Sequence, residues 1–153
     1  MDRRTDGALE SGSISVLVVD DDDLQRQFLA RLLARAGIGP LFWATNGRSA
    51  LEAFHEEQHP IDVVVCDLLM PRMDGVQLFN SAVEHDSSYR RRFVFVTGAS
   101  SVLYIRKFLD TVNCQVVHKP VDADVLVRAI RLAAVAGGVF DTSTGPSRNA
   151  DER

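Results

Sequence analysis

The chain has 153 residues, which is about the length of one domain. Its 46% hydrophobic and 25% charged residues are ordinary for a globular protein, and a net charge of −4 gives no electrostatic reason to expect nucleic-acid binding. No stretch approaches the roughly 20 apolar residues that a membrane-spanning helix needs. Residues 1–13 also lack the apolar core of a secretory signal. We therefore expect a cytoplasmic protein without direct nucleic-acid binding or membrane insertion.

Five apolar runs alternate along the chain with five segments of helical periodicity. The predicted strands are residues 14–20, 41–45, 61–67, 93–98 and 115–119. In the first helix Leu24, Phe28 and Leu32 share one face, with Leu29 and Leu33 alongside it. In the fifth helix Val125, Ala129 and Leu132 share a face. Asn46 and Asp122 are expected to cap the second and fifth helices.

This alternation predicts an α/β fold in which a parallel five-stranded sheet carries helices on both faces, because each crossover must be right-handed. The expected strand order is 2-1-3-4-5, as in doubly wound, flavodoxin-like (βα)5 folds. The domain is expected to span residues 14–136. Residues 1–13 and 137–153 are polar and without periodicity, and are predicted to be flexible tails.

Polar side chains stand at the ends of four predicted strands. Asp20 and Asp21 end the first, Asp67 the third, Thr97 the fourth and Lys119 the fifth. The carboxyl ends of parallel strands meet at one edge of the sheet, so these residues should form one pocket. Neighbouring carboxylates repel by roughly 4 kcal/mol per pair at 4 Å, so the pocket should retain a proton or bind a cation. Oxygen ligands without His or Cys select Mg²⁺, Mn²⁺ or Ca²⁺ over zinc.

The same pocket has the groups that phosphoryl transfer needs. Asp67 is the natural nucleophile, because a carboxylate can form an acyl phosphate. Lys119 supplies a positive charge for phosphate oxygens, and Thr97 supplies a neutral hydroxyl donor.

Four motifs in this order identify a resemblance. They are VLVVDDD at 16–22, VVVCDLLMPRMDG at 63–75, VFVTGAS at 94–100 and HKP at 118–120. Asp67 and Thr97 are 97 − 67 = 30 positions apart, and Thr97 and Lys119 are 119 − 97 = 22 apart. The chain resembles the receiver domain of two-component response regulators over about residues 14–136.

That resemblance implies a metal site. Asp21 and Asp67 would bind Mg²⁺ or Mn²⁺ directly, Asp20 would act through water, and the backbone carbonyl of Leu69 would be a further ligand.

The resemblance also implies the chemistry. Asp67 would be the phosphoacceptor, taking the group from the phosphohistidine of a sensor histidine kinase or a histidine phosphotransfer protein. Thr97 and Lys119 would bind the phosphoryl oxygens, and Gly98 would leave room for the donor or an attacking water. The protein would catalyse only its own phosphorylation and dephosphorylation, and would signal by conformational change to an unknown partner. Homodimers are common among such receivers, so the resemblance also allows a homodimer. Only 153 − 136 = 17 residues follow the domain, so no output domain is expected.

Two positions depart from the family pattern. Val116 stands where relatives often carry Tyr or Phe, so a switch based on a moving ring is absent and the signal needs another route. Leu69 is apolar where many relatives carry a polar residue, which should alter the lifetime of the phosphoryl group. Tyr104 and Phe108 lie on the fourth helix, part of the family's usual output face, and either an exposed docking patch or simple core packing fits them.

Two other functions remain open from the sequence. Val116 also suits a protein-binding module of the same fold that does not signal through phosphate. A phosphatase of the haloacid-dehalogenase type would use Asp20-x-Asp22, but Leu24 occupies the place of its Thr or Val.

Several other residues are expected to be structural. Cys66 and Cys114 should be reduced, buried core residues. Trp43 should pack at the second strand, His118 should lie on a helix-covered face, and His55, His59 and His85 should be at the surface.

Overall fold

The computed structural model describes residues 13–55, 60–70, 73–98 and 102–139, and within them five strands alternate with five helices. The strands are β1 (Val16–Val19), β2 (Leu41–Ala44), β3 (Val63–Asp67), β4 (Phe93–Thr97) and β5 (Gln115–His118). The helices are α1 (Asp23–Arg35), α2 (Gly47–Phe54), α3 (Gly75–His85), α4 (Leu103–Thr111) and α5 (Ala123–Ala136), and a 3₁₀ turn (Ser87–Arg91) precedes β4. The predicted tails lie outside the described residues except at 13 and 137–139.

All strand pairs are parallel, and the sheet order is β2-β1-β3-β4-β5, which confirms the predicted fold. All five strands are shorter than the predicted runs, by one or two residues at one end or at both. At the start of β1, for example, Ser15 and Asp62 exchange side-chain hydrogen bonds with each other's backbone N–H, and the carbonyl of Ser15 accepts from the N–H groups of both Asp62 and Val63. The apolar pattern therefore extends slightly beyond the regular pairing.

Alternating side chains on the strands divide the core into two layers. We call the side covered by α2, α3 and α4 the ring face, because its buried residues include Phe54, Phe79, Tyr89, Phe93 and Phe95. We call the side covered by α1 and α5 the aliphatic face, since its buried residues are Ile, Val, Leu and Ala only. Both faces of the central strands are covered, which explains their continuous apolar sequence.

The predicted apolar face of α1 is wrong in two of its three residues. Leu29 and Leu33 are buried against the sheet, whereas Leu24 is 76% and Phe28 is 49% exposed. Asp22 caps the helix and so fixes where the first turn begins, which places the Leu29 and Leu33 pair over the aliphatic face.

The predicted face of α5 needs the same correction. Val125 and Leu132 are exposed, and the buried residues are Leu126, Ala129, Ile130, Ala133 and Ala134. Only Ala129 of the predicted stripe is in the core. The apolar residues of α5 occupy more than one side, so their spacing alone did not identify which side packs on the sheet.

The predicted caps are present. Asn46 forms a reciprocal capping box with Ser49 at the start of α2. The side chain of Asp122 accepts a hydrogen bond of 3.1 Å from the N–H of Val125 at the start of α5.

Three structural expectations are wrong in whole or part. Trp43 is 48% exposed on β2, an edge strand. His118 is exposed at the end of β5. Cys66 is buried as predicted, but Cys114 is only partly buried, and its burial raises the pKa of the thiol to about 11. His55 and His85 are exposed as predicted, and His59 lies outside the described residues. None of the described helices is long and apolar enough to cross a membrane.

Candidate functional site

The structure brings the three predicted carboxylates together. Asp20 and Asp21 follow β1, Asp67 is the last residue of the neighbouring β3, and one carboxylate oxygen from each lies within 4.8 Å of the others. Asp20 is buried and Asp21 is exposed, while the side chain of Asp67 is 11% exposed. The cluster is thus open to solvent on the Asp21 side.

Asp20 is held by its neighbours in the chain. Its carboxylate accepts a 2.9 Å hydrogen bond from the N–H of Asp22, and its carbonyl accepts a 2.7 Å hydrogen bond from Nη1 of Arg26. Arg26 also forms an ion pair with Asp23. Burial raises the pKa of Asp20 to about 6, the Asp67 and Asp21 carboxylates add to the rise, and the Asp22 N–H and Lys119 oppose it. The site therefore favours a proton or a cation.

Asp67 is paired with Lys119, which comes from the end of β5. The Nζ atom of Lys119 lies 3.2 Å from Oδ2 of Asp67, and Oδ1 accepts a 3.2 Å hydrogen bond from the N–H of Leu69. Both oxygens of Asp67 are therefore oriented, and a positive charge stands directly beside the atom predicted to carry the phosphoryl group.

Thr97 and Gly98 complete the rim at the end of β4. Thr97 is buried, and its carbonyl accepts a 3.0 Å hydrogen bond from the N–H of Lys119. A Cβ atom on Gly98 would lie 3.7 Å from Cδ of Lys119, in ordinary van der Waals contact. Gly98 therefore leaves open a space beside the lysine side chain.

The start of α3 rests on the backbone of Asp67. The N–H of Gly75 donates a 3.0 Å hydrogen bond to the carbonyl of Leu68, and a Cβ atom on Gly75 would lie 2.5 Å from the carbonyl oxygen of Asp67. Asp74 caps the helix by accepting from the N–H of Gln77. Asp74 and Gly75 end the motif at 63–75, but the motif did not predict this direct packing.

The donor set fits a hard divalent ion. Asp20, Asp21 and Asp67 offer carboxylate oxygens, and neither a thiolate nor an imidazole belongs to the cluster. Such oxygen ligands suit Mg²⁺ or Mn²⁺, with water or phosphate oxygens in the remaining positions. Leu69 follows Asp67 closely and is half exposed, and its role as a carbonyl ligand stays a prediction.

Arg26 is the site residue that sequence reasoning missed. It lies one turn into α1 and reaches back to the carbonyl of Asp20. A basic residue three positions after Asp23 in an acidic helix start was an available signal, since side chains three apart share a helix face.

The structure gives Asp22 a different role from the one that the Asp20-x-Asp22 alternative requires. Oδ1 of Asp22 caps α1 by accepting hydrogen bonds from the N–H groups of Leu24 and Gln25. Asp22 is therefore a capping residue outside the carboxylate cluster.

Val116 is half buried in β5 opposite Phe95 of β4. On α4, Leu103 and Tyr104 are more than half exposed, whereas Phe108 packs against Phe79 and Phe95 with ring centroids 5.4 Å apart. Of the two residues singled out on this helix, Tyr104 is thus at the surface and Phe108 belongs to the ring face.

The fold and these motifs define a family. The family model of the response regulator receiver domain matches residues 16–131, and the chain belongs to that family.

Curated relatives agree with this assignment. The chain is 31% identical over 121 residues to the response regulator receiver protein CpdR of Brucella abortus, covering 79% of this chain and 97% of CpdR. It is 28% identical over 118 residues to the chemotaxis protein CheY of Bacillus subtilis, covering 75% of this chain and 92% of CheY. It is also 30% identical over 121 residues to the sensor kinase CckA of Brucella abortus, covering 79% of this chain but 12% of CckA. The chain thus matches whole small proteins as well as one segment of a longer one.

Solved structures show the same fold. A response regulator receiver domain protein from Clostridium thermocellum superposes with a TM-score of 0.72 at 24% identity, covering 82% of this chain and 98% of that one.

Proposed function

We propose that this chain is a phosphoacceptor in a two-component or phosphorelay pathway. It would accept a phosphoryl group from a phosphohistidine onto Asp67 and signal to a protein partner through the resulting conformational change. The observation that carries the proposal is the Lys119–Asp67 contact of 3.2 Å at the edge of a three-carboxylate cluster. It supports the proposal because the proposed nucleophile, a positive charge and the proposed metal ligands are then neighbours.

In the proposed step, one carboxylate oxygen of Asp67 attacks the phosphorus of the phosphohistidine. A P–O bond forms, the P–N bond breaks, and its electron pair stays on the imidazole nitrogen of the donor. Lys119 binds the developing negative charge, and the Thr97 hydroxyl donates to a phosphoryl oxygen. Mg²⁺ or Mn²⁺, held by Asp20, Asp21 and Asp67, would neutralise charge on the transferring group.

In dephosphorylation, water would attack the same phosphorus through the space beside Gly98. A P–O bond to the water would form, the P–O bond to Asp67 would break, and its electron pair would return to the carboxylate as inorganic phosphate leaves. The phosphorylated side chain belongs to the protein itself, so the chain would be a self-modifying regulator and not an enzyme acting on a separate substrate. We also propose that the protein is cytoplasmic, as expected from the sequence, and that it can form a homodimer.

The surface of α1 supports docking of the phosphohistidine-bearing partner. Leu24 and Phe28 are exposed on the helix that begins directly after Asp20 and Asp21. A groove continues from this helix to the segment after Lys119, and it is lined by Phe28, Arg31, Leu32, Arg35, Val121 and Ala123. An apolar surface next to the nucleophile suits a sensor histidine kinase or a histidine phosphotransfer protein, which must bring its imidazole within reach of Asp67.

Intact mass spectrometry after incubation with acetyl phosphate and Mg²⁺ tests the proposal. We expect one phosphoryl adduct in the wild-type protein, its loss in Asp67→Asn, and its loss when the metal is chelated. Asp110→Asn, an exposed carboxylate on α4, is the matched control and should be labelled like the wild type. An adduct that persists in Asp67→Asn would contradict the assignment of the acceptor.

A phosphate-independent binding module is the second candidate, and Val116 favours it because no ring stands there to move with Thr97. Under this alternative, a kinase-derived phosphohistidine donor would leave no label on the chain. A partner would then bind wild type and Asp67→Ala with equal affinity.

A further inference from the structure

Two imidazole rings from distant parts of the chain lie against each other. The ring centroids of His55 and His85 are 4.3 Å apart, with an angle of 70° between the ring planes. The two residues are 85 − 55 = 30 positions apart in sequence, and both are exposed. The two rings are therefore brought together by the tertiary structure and not by closeness in the sequence.

Both histidines stand at the carboxyl ends of helices. His55 is the C-terminal cap of α2, and His85 is the last residue of α3. The final carbonyls of a helix lack partners within it and carry a partial negative charge, so a cation is favoured at each end. Since α2 and α3 each follow a parallel strand and return across the ring face, their ends lie at the sheet edge opposite Asp67.

The separation of the rings is close to that of two ligands of one metal ion. With metal–nitrogen distances of about 2.0 to 2.1 Å, two imidazoles on one ion have centroids about 4.5 to 5.2 Å apart for angles between 90° and tetrahedral. The observed 4.3 Å needs only a small widening. Exposed side chains can rotate between rotamers to provide it.

We infer that His55 and His85 form a two-imidazole site for a divalent transition-metal ion such as Ni²⁺, Cu²⁺ or Zn²⁺, with water in the remaining positions. Imidazole suits these ions, whereas Mg²⁺ prefers oxygen ligands. The site is thus chemically and spatially distinct from the carboxylate cluster of Asp20, Asp21 and Asp67, and it does not depend on the proposed phosphoryl transfer.

Isothermal titration with Ni²⁺, in excess Mg²⁺ to occupy the carboxylates, tests the inference. We expect binding of one Ni²⁺ per chain, and roughly tenfold or greater weakening in His55→Ala and in His85→Ala, because each variant loses the chelate advantage of two linked ligands. His118→Ala and His59→Ala are the matched controls, and both should bind Ni²⁺ like the wild type. The variants of His55, His85 and His118 should unfold at the wild-type temperature, since these three residues are exposed and exposed substitutions seldom change stability.

Unchanged Ni²⁺ affinity in either His55→Ala or His85→Ala overturns the two-imidazole site. Loss of binding in His59→Ala together with full binding in His85→Ala also overturns it, since His55 would then pair within its own segment. The inference is also overturned if excess Mg²⁺ abolishes Ni²⁺ binding to the wild type, because Ni²⁺ would then bind at the carboxylate cluster.

Discussion

The two faces of the sheet are built from different side chains. On the ring face, Phe79 contacts Phe93, Phe95 and Phe108 with centroids 5.2 to 5.8 Å apart, so one aromatic cluster joins α3, β4 and α4. On the aliphatic face, Val, Ile, Leu and Ala fill the space under α1 and α5.

This difference shows how the site is supported from two sides. Rings are large enough to contact several elements at once, so each buried ring couples a strand of the site to the helices above it. Small β-branched residues contact fewer elements each, and the aliphatic face holds α1 through many similar contacts. We therefore expect single substitutions to have larger and wider effects on the ring face.

The largest effect should come from Phe95→Ala compared with Val96→Ala. These adjacent residues of β4 point to the ring face and the aliphatic face respectively, and both are fully buried. Phe95→Ala should lower the free energy of unfolding by about 3–5 kcal/mol and Val96→Ala by about 2 kcal/mol, because the ring leaves the larger cavity. Urea denaturation checks both. Equal losses would mean that ring size does not distinguish the faces.

The next largest effect should come from Gly75→Ala at the start of α3. The new Cβ atom would meet the carbonyl oxygen of Asp67 at 2.5 Å, and backbone cannot give way as a flexible side chain does. We expect a loss of about 1–3 kcal/mol in the free energy of unfolding and slower labelling by acetyl phosphate, because Asp67 must shift.

Gly98→Ala is the matched control for Gly75→Ala. Its Cβ atom would make only ordinary contact with Lys119, so stability should equal or slightly exceed the wild type. If both variants lost stability alike, close packing of α3 on Asp67 would not be the cause.

Substitution in the carboxylate cluster should stabilise the metal-free protein. Asp20→Asn removes a buried charge whose pKa is raised to about 6, and it should raise the free energy of unfolding at pH 7.5 by about 2 kcal/mol. Asp110→Asn, at an exposed position, should change it little.

The stabilisation expected from Asp20→Asn should be larger at neutral pH than at acidic pH. The folded protein retains the Asp20 proton up to a pH of about 6, while the unfolded chain releases it near 3.8. The folded state thus binds more protons in this window, and the wild type loses stability as the pH rises through it. The advantage of Asp20→Asn should therefore shrink between pH 6 and pH 4. A gain that is constant with pH would point to a cause other than charge.

The sequence was sufficient for the strand order and for the meeting of Asp20, Asp67 and Lys119, because parallel strands must end at one edge. It was insufficient for the rotation of α1, where Leu24 and Leu29 were equally apolar and only the cap at Asp22 and the packing on the sheet decide between them. The contact of His55 with His85 could not be predicted from the sequence either. No local pattern reports which helix ends become neighbours in the folded chain.

The smallest expected effect compares the caps of one helix on each face. Asp22 caps α1 and Asp74 caps α3, each through its side-chain oxygen. Asp22→Ala and Asp74→Ala should each lower the free energy of unfolding by about 1 kcal/mol in urea denaturation. Labelling by acetyl phosphate should separate them. Asp74→Ala loosens the helix start that rests on Asp67, whereas Asp22→Ala leaves the Asp22 N–H bonded to Asp20. Slower labelling in Asp74→Ala alone would therefore assign the support of the acceptor to the ring face, and equal labelling would assign it to the strands.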